Sequence, residues 1–482
     1  MSGRLLSLVS DLRFWLALLF VVRLPGAFYP PVEVHQGWRQ ATTLMTVKAM
    51  EEHGPDLLYP GTSVPGPDRP NIIASEWPVY NLLIWINGSL WGAGHEIGRL
   101  ISLLSSLFGI WCFYLIVRRL LGRRVAFAAA IVLTVSVWFM FSRKVMPDVF
   151  ACSLVLAGVE SAWRFRMSGT WWWLVVSYAL IAIGVLSKLP ALALLVFGVP
   201  LLLDSGASAL RKWTVGLTVV LACVPAAWWY FVWTPHLLEL GAYQLYWPKS
   251  LDEGWRELTA RPTDTLHRFA FTAFYSWIAF GCFIAGLVVL HRERRNTRLM
   301  LACSLFLLIG YMLKTGDCIP EHDYYLIPFV PVMAVIAGIG IHAMAARNWI
   351  LVVLIGGVMI EGVANQQHDL RRPGELMYKL DLASSLDELV PSDEPVAFVS
   401  DLNPSDMYFA DRKGWLVTPE DLARSKESER LLHAGCRFVV VNYRRPWLAV
   451  YNPGLPMVGE TLYWRVYALQ AASFNSEAPI DE

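Results

Sequence analysis

Apolar runs long enough to cross a bilayer recur along this chain, and they constrain its fold more than any other feature. Runs of that kind centre near Leu19, Gly109, Leu133, Leu156, Ala179, Leu194, Leu221, Phe280, Leu307, Ile336 and Val353. A bilayer core takes about 20 apolar residues per helix, so the pattern predicts about eleven transmembrane helices. The 171–203 stretch is too long for one span and is broken at Lys188-Leu189-Pro190. Composition agrees: of 482 residues, 56% are hydrophobic and 16% charged, with a mean hydropathy of +0.45. A soluble chain carries about a quarter charged residues. The net charge of +1 gives no electrostatic case for nucleic acid. The 22 Trp and 18 Tyr suit a protein with much surface at the membrane interface.

Basic loops set the orientation. Arg118, Arg119, Arg123 and Arg124 share one short loop, and Arg164 and Arg166 another; Arg211-Lys212 and His291-Arg292-Glu293-Arg294-Arg295 mark two more. They fall on alternate loops, so the positive-inside rule predicts that they lie in the cytoplasm with the N-terminus. An odd number of spans then leaves the C-terminus outside. The apolar run at 14–22 is followed by Arg23-Leu24-Pro25-Gly26 instead of a small-residue cleavage site, so it reads as a first anchor.

Three longer segments land on the outer side. Residues 29–97 hold a helix whose faces separate Trp38, Ala41, Met45 and Ala49 from Arg39, Thr43 and Thr46. A Gly/Pro loop follows at 55–70, and a second, Trp-bearing interfacial helix at 78–90. The second outer segment, 234–266, is rich in Tyr, Trp and acids. From about residue 366 the composition turns soluble. Short apolar strands at 395–400, 436–442 and 464–469 flank a helix capped by Thr418-Pro419-Glu420-Asp421 and stopped by Gly435. The expected fold is therefore a polytopic α-helical membrane protein, N-in and C-out, with a C-terminal extracytoplasmic α/β domain. Its expected division is a transmembrane domain over 1–364 and a soluble domain over 365–482.

Candidate chemistry gathers at the outer membrane edge. Glu33 and His35 are two apart, which in extended backbone points them the same way. Arg39 and Gln40 fall in the first turn of the next helix, where free N–H groups and the dipole favour an anion. A carboxylate beside a guanidinium suits base catalysis on a hydroxyl next to a phosphate; the bland alternative is a solvated cap. Arg143-Lys144-Val145-Met146-Pro147-Asp148 forms a tight outer turn. Asp148 just inside an apolar run is a site candidate or a helix cap. Lys188 is free to snorkel, or to meet a lipid-borne phosphate. His322, Asp323 and Tyr324, within Glu321-His322-Asp323-Tyr324-Tyr325, are too many polar groups for anchoring alone, and Glu76 precedes a similar Trp-Pro-Val-Tyr-Asn stretch. Glu33, His35 and Asp148 could in principle ligate a metal, but no helical His spacing backs that reading.

At these residues the sequence resembles the GT-C glycosyltransferases, in the bacterial branch related to protein O-mannosyltransferases and aminoarabinose transferases. The resemblance rests on His35-Gln36-Gly37-Trp38-Arg39-Gln40-Ala41, Glu76-Trp77-Pro78-Val79-Tyr80-Asn81, Arg143 with Met146-Pro147-Asp148, Lys188-Leu189-Pro190-Ala191, and His322-Asp323-Tyr324-Tyr325 with Pro328. Asn403-Pro404 and Arg412-Lys413-Gly414-Trp415 in the tail also look like such proteins. The resemblance implies transfer of a sugar from a polyprenyl-phosphate donor to a lipid, glycan or protein acceptor outside the cytoplasm, at a bacterial inner (plasma) membrane. It implies an acidic base in the first outer loop. That role falls on Glu33, with Asp148 open as the alternative, because Thr42 stands where many relatives carry an aspartate. Arg39, Lys188, His322 and Arg143 become candidates for the carrier phosphate, and His35, Gln40, Glu76, Asp323 and Tyr324 for the rest of the substrates. The leaving group is already a phosphate ester, so no cofactor is required. The rival expectation is a lipid or glycolipid flippase, which calls for inverted repeats and charges near the bilayer midplane.

Overall fold

The computed structural model describes residues 11–33, 35–64, 66, 69–91, 94–204, 206, 208–245, 248–370, 374–400 and 403–469. The chain divides into two compact units. The first comprises Met1–Pro30, Glu76–Trp233 and Tyr246–Arg371, and the second Pro31–Ser75, Thr234–Leu245 and Arg372–Glu482.

The first unit is helical and makes the chain a multi-pass membrane protein. Among the described residues, four helices are long and apolar enough to cross a membrane: His95–Leu121, Ala209–Glu239, Arg295–Thr315 and Asn348–Asn365. A bent pair, Pro262–Thr272 with Trp277–Arg292, makes five if it counts as one span. Trp172–Ser187, Leu189–Leu203 and Val330–Met344 are apolar but shorter. Along the Ala209–Trp228 helix, Leu210, Trp213, Leu217, Val220, Val224 and Trp228 are exposed. Their spacing of three or four makes one apolar stripe, which is what a lipid-facing helix presents.

Helices inside the unit meet through small residues. Gly286 of the Trp277–Val289 helix and Gly340 of the Val330–Met344 helix face each other's backbone. A Cβ at Gly286 would lie 1.9 Å from the Ile336 carbonyl oxygen, and one at Gly340 1.9 Å from that of Cys282. Such closeness replaces the hydrophobic drive that lipid removes with direct van der Waals packing. The first helix, Leu12–Ala27, continues past the expected 14–22 run with Pro25 inside it. The Trp172–Ser187 helix stops where the sequence breaks it. Lys188 takes extended backbone (φ −163°, ψ 108°), and Leu189–Gly198 follows as a tighter helix with Pro190 in its first turn.

The second unit contains two sheets. Strands β1 (Ile73–Ala74) and β2 (Tyr243–Gln244) form a short parallel pair. The tail builds a five-stranded sheet from β3 (Val396–Val399), β4 (Gly414–Val417), β5 (Phe438–Asn442), β6 (Met457–Glu460) and β7 (Trp464–Ala468). Its order is β4-β3-β5-β7-β6; the first three strands are parallel, and β7 runs antiparallel to β5 and β6. β3 is buried throughout, as a parallel strand covered on both faces must be. One face packs Phe398, Val440 and Trp464 with Leu382 and Met407, joined by Met45 and Val64 from the 29–97 segment. The other packs Val399, Val439 and Val441 with Leu422 and Leu431. Met45 belongs to the Gly37–His53 helix, which ion pairs Lys48–Asp411 and Glu52–Lys413 also tie to the tail.

The single helix expected between Thr418 and Gly435 is two helices, Pro419–Leu422 and Ser425–His433. The Thr418–Asp421 capping box forms as expected. Leu422 and Leu431 are nine positions apart, which in one unbroken helix would put them on opposite faces. Extended backbone at Arg424 resets the phase, so both reach the sheet.

Candidate functional site

Three separate stretches of the first unit converge on Lys188. Its Nζ lies 3.3 Å from Glu76 Oε1 and 3.5 Å from Asp148 Oδ1. The extended backbone at the helix break presents the lysine. Pro147 opens the Pro147–Ser168 helix and places Asp148 in its first turn, where the dipole favours a carboxylate. Glu76 is held close because the Trp77 N–H donates to the Leu186 carbonyl at 3.2 Å. The ring of Tyr324 lies under the ammonium, 5.5 Å from Nζ to centroid. Tyr324 in turn packs on Tyr325 (4.7 Å between centroids), His322 (5.5 Å) and Phe141 (6.1 Å). Burial holds the His322 imidazole below the usual histidine range. One ammonium thus faces two carboxylates in largely buried surroundings, an arrangement that leaves carboxylate charge available for proton transfer.

The second unit holds Glu33, His35, Arg39 and Gln40. Gln36 takes left-handed backbone (φ 61°), rare for a residue with a side chain, just before the Gly37–His53 helix. The turn brings Gln40 back to Glu33, and Gln40 Nε2 donates to Glu33 Oε2 at 3.1 Å. Arg39 is buried, and its Nη1 donates to the Thr42 hydroxyl at 3.0 Å, which itself donates to the Arg39 carbonyl at 2.9 Å. His35 lies half-buried in the turn. Tyr243, on β2, has its phenol pushed up to about 12 by burial, an effect the Arg39 cation partly opposes.

The family described as dolichyl-phosphate-mannose-protein mannosyltransferase matches residues 68–230. The structure is similar to that of ArnT from Cupriavidus metallidurans in the apo state, with a TM-score of 0.62 at 14% identity, covering 95% of this chain and 98% of that one. The same values hold for that ArnT bound to undecaprenyl phosphate. The chain has the fold of the GT-C membrane glycosyltransferases. The oligosaccharyltransferase of Archaeoglobus fulgidus shares this GT-C fold at a TM-score of 0.56 and 10% identity, over 89% of this chain and 69% of that one. Curated protein sequences give no match.

Two expected residues are engaged elsewhere. Asp323 accepts from the Tyr275 hydroxyl at 2.9 Å and lies 3.6 Å from Arg268 Nη1. Arg143 belongs to a buried ionic cluster that sequence reading missed. Asp369 there meets Arg143 Nη2 at 3.3 Å, Lys144 Nζ at 3.0 Å and Arg23 Nη1 at 3.1 Å. The Arg23 guanidinium also lies 3.4 Å over the Phe139 ring. The signal for this cluster was the presence of ionisable residues in apolar runs, at Arg23 and Lys144. Among the described residues, no three His, Cys, Asp or Glu side chains gather closely enough to hold a metal ion.

Proposed function

We propose that this protein transfers a sugar from a polyprenyl-phosphate carrier to an acceptor hydroxyl on the extracytoplasmic side of a bacterial inner membrane. The reading is carried by one observation: the GT-C fold is matched over nearly the whole of both chains by a protein whose structure has been determined with undecaprenyl phosphate bound. The chain is proposed to cross the membrane about eleven times at the length a bilayer demands, N-terminus in and C-terminus out. Residues 365–482 form the soluble extracytoplasmic domain in this reading.

The reaction is a direct displacement. The acceptor oxygen bonds to the anomeric carbon as the bond from that carbon to the phosphate oxygen breaks. The bonding pair leaves with the phosphate, and the acceptor proton goes to a carboxylate, so the configuration inverts. We assign the carboxylate to Glu33, with Asp148 as the competing assignment. Glu33 is supported by its position in the first proposed outer segment and by a hydrogen bond from the Gln40 amide. Lys188, Arg39 and His322 are each candidates for stabilising the leaving phosphate. His35, Gln40, Glu76, Asp323 and Tyr324 are proposed substrate contacts, to be tested singly. Mass spectrometry of cell-envelope glycans with and without the gene tests the function and names the sugar; identical glycan profiles count against it.

A further inference from the structure

Pro190 leaves its mark one helical turn earlier. In an unbroken helix the Leu186 carbonyl would accept from the N–H of residue 190, and proline has none. The Lys188 N–H still bonds the Gly184 carbonyl at 3.1 Å, in helical register. The Leu186 carbonyl instead takes two donors from other parts of the first unit: the Trp77 N–H at 3.2 Å and the Tyr230 hydroxyl at 3.0 Å. A carbonyl oxygen has two lone pairs, so it accepts both together.

This one oxygen ties down both halves of an ion pair. Trp77 directly follows Glu76, and Leu186 stands two residues before Lys188, whose ammonium meets the Glu76 carboxylate. Tyr230 arrives from a third direction. It lies in Trp229–Trp233, a π-helical turn that continues the Ala209–Trp228 helix. Such wide turns are rare, re-aim the side chains they carry, and recur at functional sites. Tyr230 is 7% exposed and Trp229 is fully buried, so the phenol meets the carbonyl away from water, where a hydrogen bond is stronger.

We propose that Tyr230 is a positioning residue for the Lys188 site, acting through the carbonyl that Pro190 withdraws from the helix. Its hydroxyl keeps the break at Lys188 and the backbone beside Glu76 in one register, so that ammonium and carboxylate stay 3.3 Å apart. An effect on the carrier lipid rests on the proposed transfer reaction, in which Lys188 meets the phosphate; the hydrogen-bonded junction does not.

The test uses the full chain in lipid nanodiscs. Undecaprenyl phosphate is the probe, and hydrogen exchange at the Trp77 amide is a readout that needs no ligand. Tyr230→Phe removes one oxygen and keeps the ring. It should weaken undecaprenyl phosphate binding roughly three- to tenfold, the range that one net hydrogen bond spans, and speed Trp77 exchange several-fold. Pro190→Ala returns an N–H that competes for the Leu186 carbonyl, and should speed Trp77 exchange at least as much. In a Lys188→Ala background, Tyr230→Phe should weaken binding no further, because the hydroxyl acts through the lysine. A tyrosine that serves stability alone would lower the thermal midpoint and leave the affinity of the folded protein at the wild-type value; that result overturns the proposal. Full additivity of the two substitutions also overturns it, as does Trp77 exchange unchanged in both Tyr230→Phe and Pro190→Ala. If the wild type binds no undecaprenyl phosphate while Trp77 exchange is faster in both variants, the junction is supported and the transfer reading refuted. Unchanged Trp77 exchange in a wild type and variants that all bind the probe alike refutes the positioning role alone.

Discussion

Gln40 holds the Glu33 carboxylate at 3.1 Å across a turn in which Gln36 is forced into left-handed backbone. Strain at Gln36 of order 1–3 kcal/mol is the cost of folding the chain back so that a helix residue meets the carboxylate that precedes it. Glu33→Gln keeps the shape and removes the proton acceptor. Positioned base catalysis contributes about 10²–10⁴ in rate, so turnover should fall at least 100-fold while donor binding persists. Asp148→Asn is the matched comparison. If it abolishes turnover while Glu33→Gln stays near wild type, the base is Asp148.

Lys188 gives a different signature. Removing the ammonium leaves Glu76 and Asp148 without the cation they share. In the proposed reading Lys188 also meets the carrier phosphate, and truncating one partner of such a charge pair costs about 2–5 kcal/mol of binding, so Lys188→Ala should raise the apparent donor KM roughly 30-fold or more. Lys188→Arg, which keeps the charge, should recover part of it. An unchanged donor KM in Lys188→Ala would return the lysine to a snorkelling role.

The Asp369 cluster predicts a stability effect. Three cations converge on this one carboxylate in buried surroundings. Breaking a buried ionic cluster from one side costs about 3–5 kcal/mol. Asp369→Ala should therefore lower the thermal midpoint of the purified protein clearly, and Asp369→Asn less. Equal midpoints for wild type and both variants would mean that the cluster contributes nothing to the fold.

Most local signals in the sequence were read correctly, apart from the break in the expected Thr418–Gly435 helix, and long-range ones were not. Proline after Lys188 foretold the helix break, the Thr418–Asp421 pair foretold a capping box, and short apolar runs foretold β3, β5 and β7. The edge strand β6 escaped because its side chains are mostly exposed and carry no alternation. β1 and β2 escaped because two residues each, 170 positions apart, leave no periodicity. At the site, the sequence named Glu76, Asp148, Lys188 and Tyr324 separately, and folding brings them together. Asp369 was passed over because its partners lie more than 200 residues away and it sits where composition turns soluble.

Orientation is open to a direct check. The proposed topology, read from basic residues on alternate loops, has the tail outside, so a reporter active only outside the cytoplasm and fused after Glu482 should be active. A silent fusion in a protein that still inserts would reverse the proposed topology and move the acceptor to the cytoplasmic side.

The most direct test of the proposed reaction is transfer by the purified chain in liposomes that contain a labelled polyprenyl-phosphate sugar and a candidate acceptor. A displacing transferase should show acceptor-dependent loss of label from the carrier, release of free polyprenyl phosphate, and a product of inverted anomeric configuration. Intact donor recovered on the opposite leaflet, with no sugar transferred to any acceptor, would contradict it and identify a flippase instead.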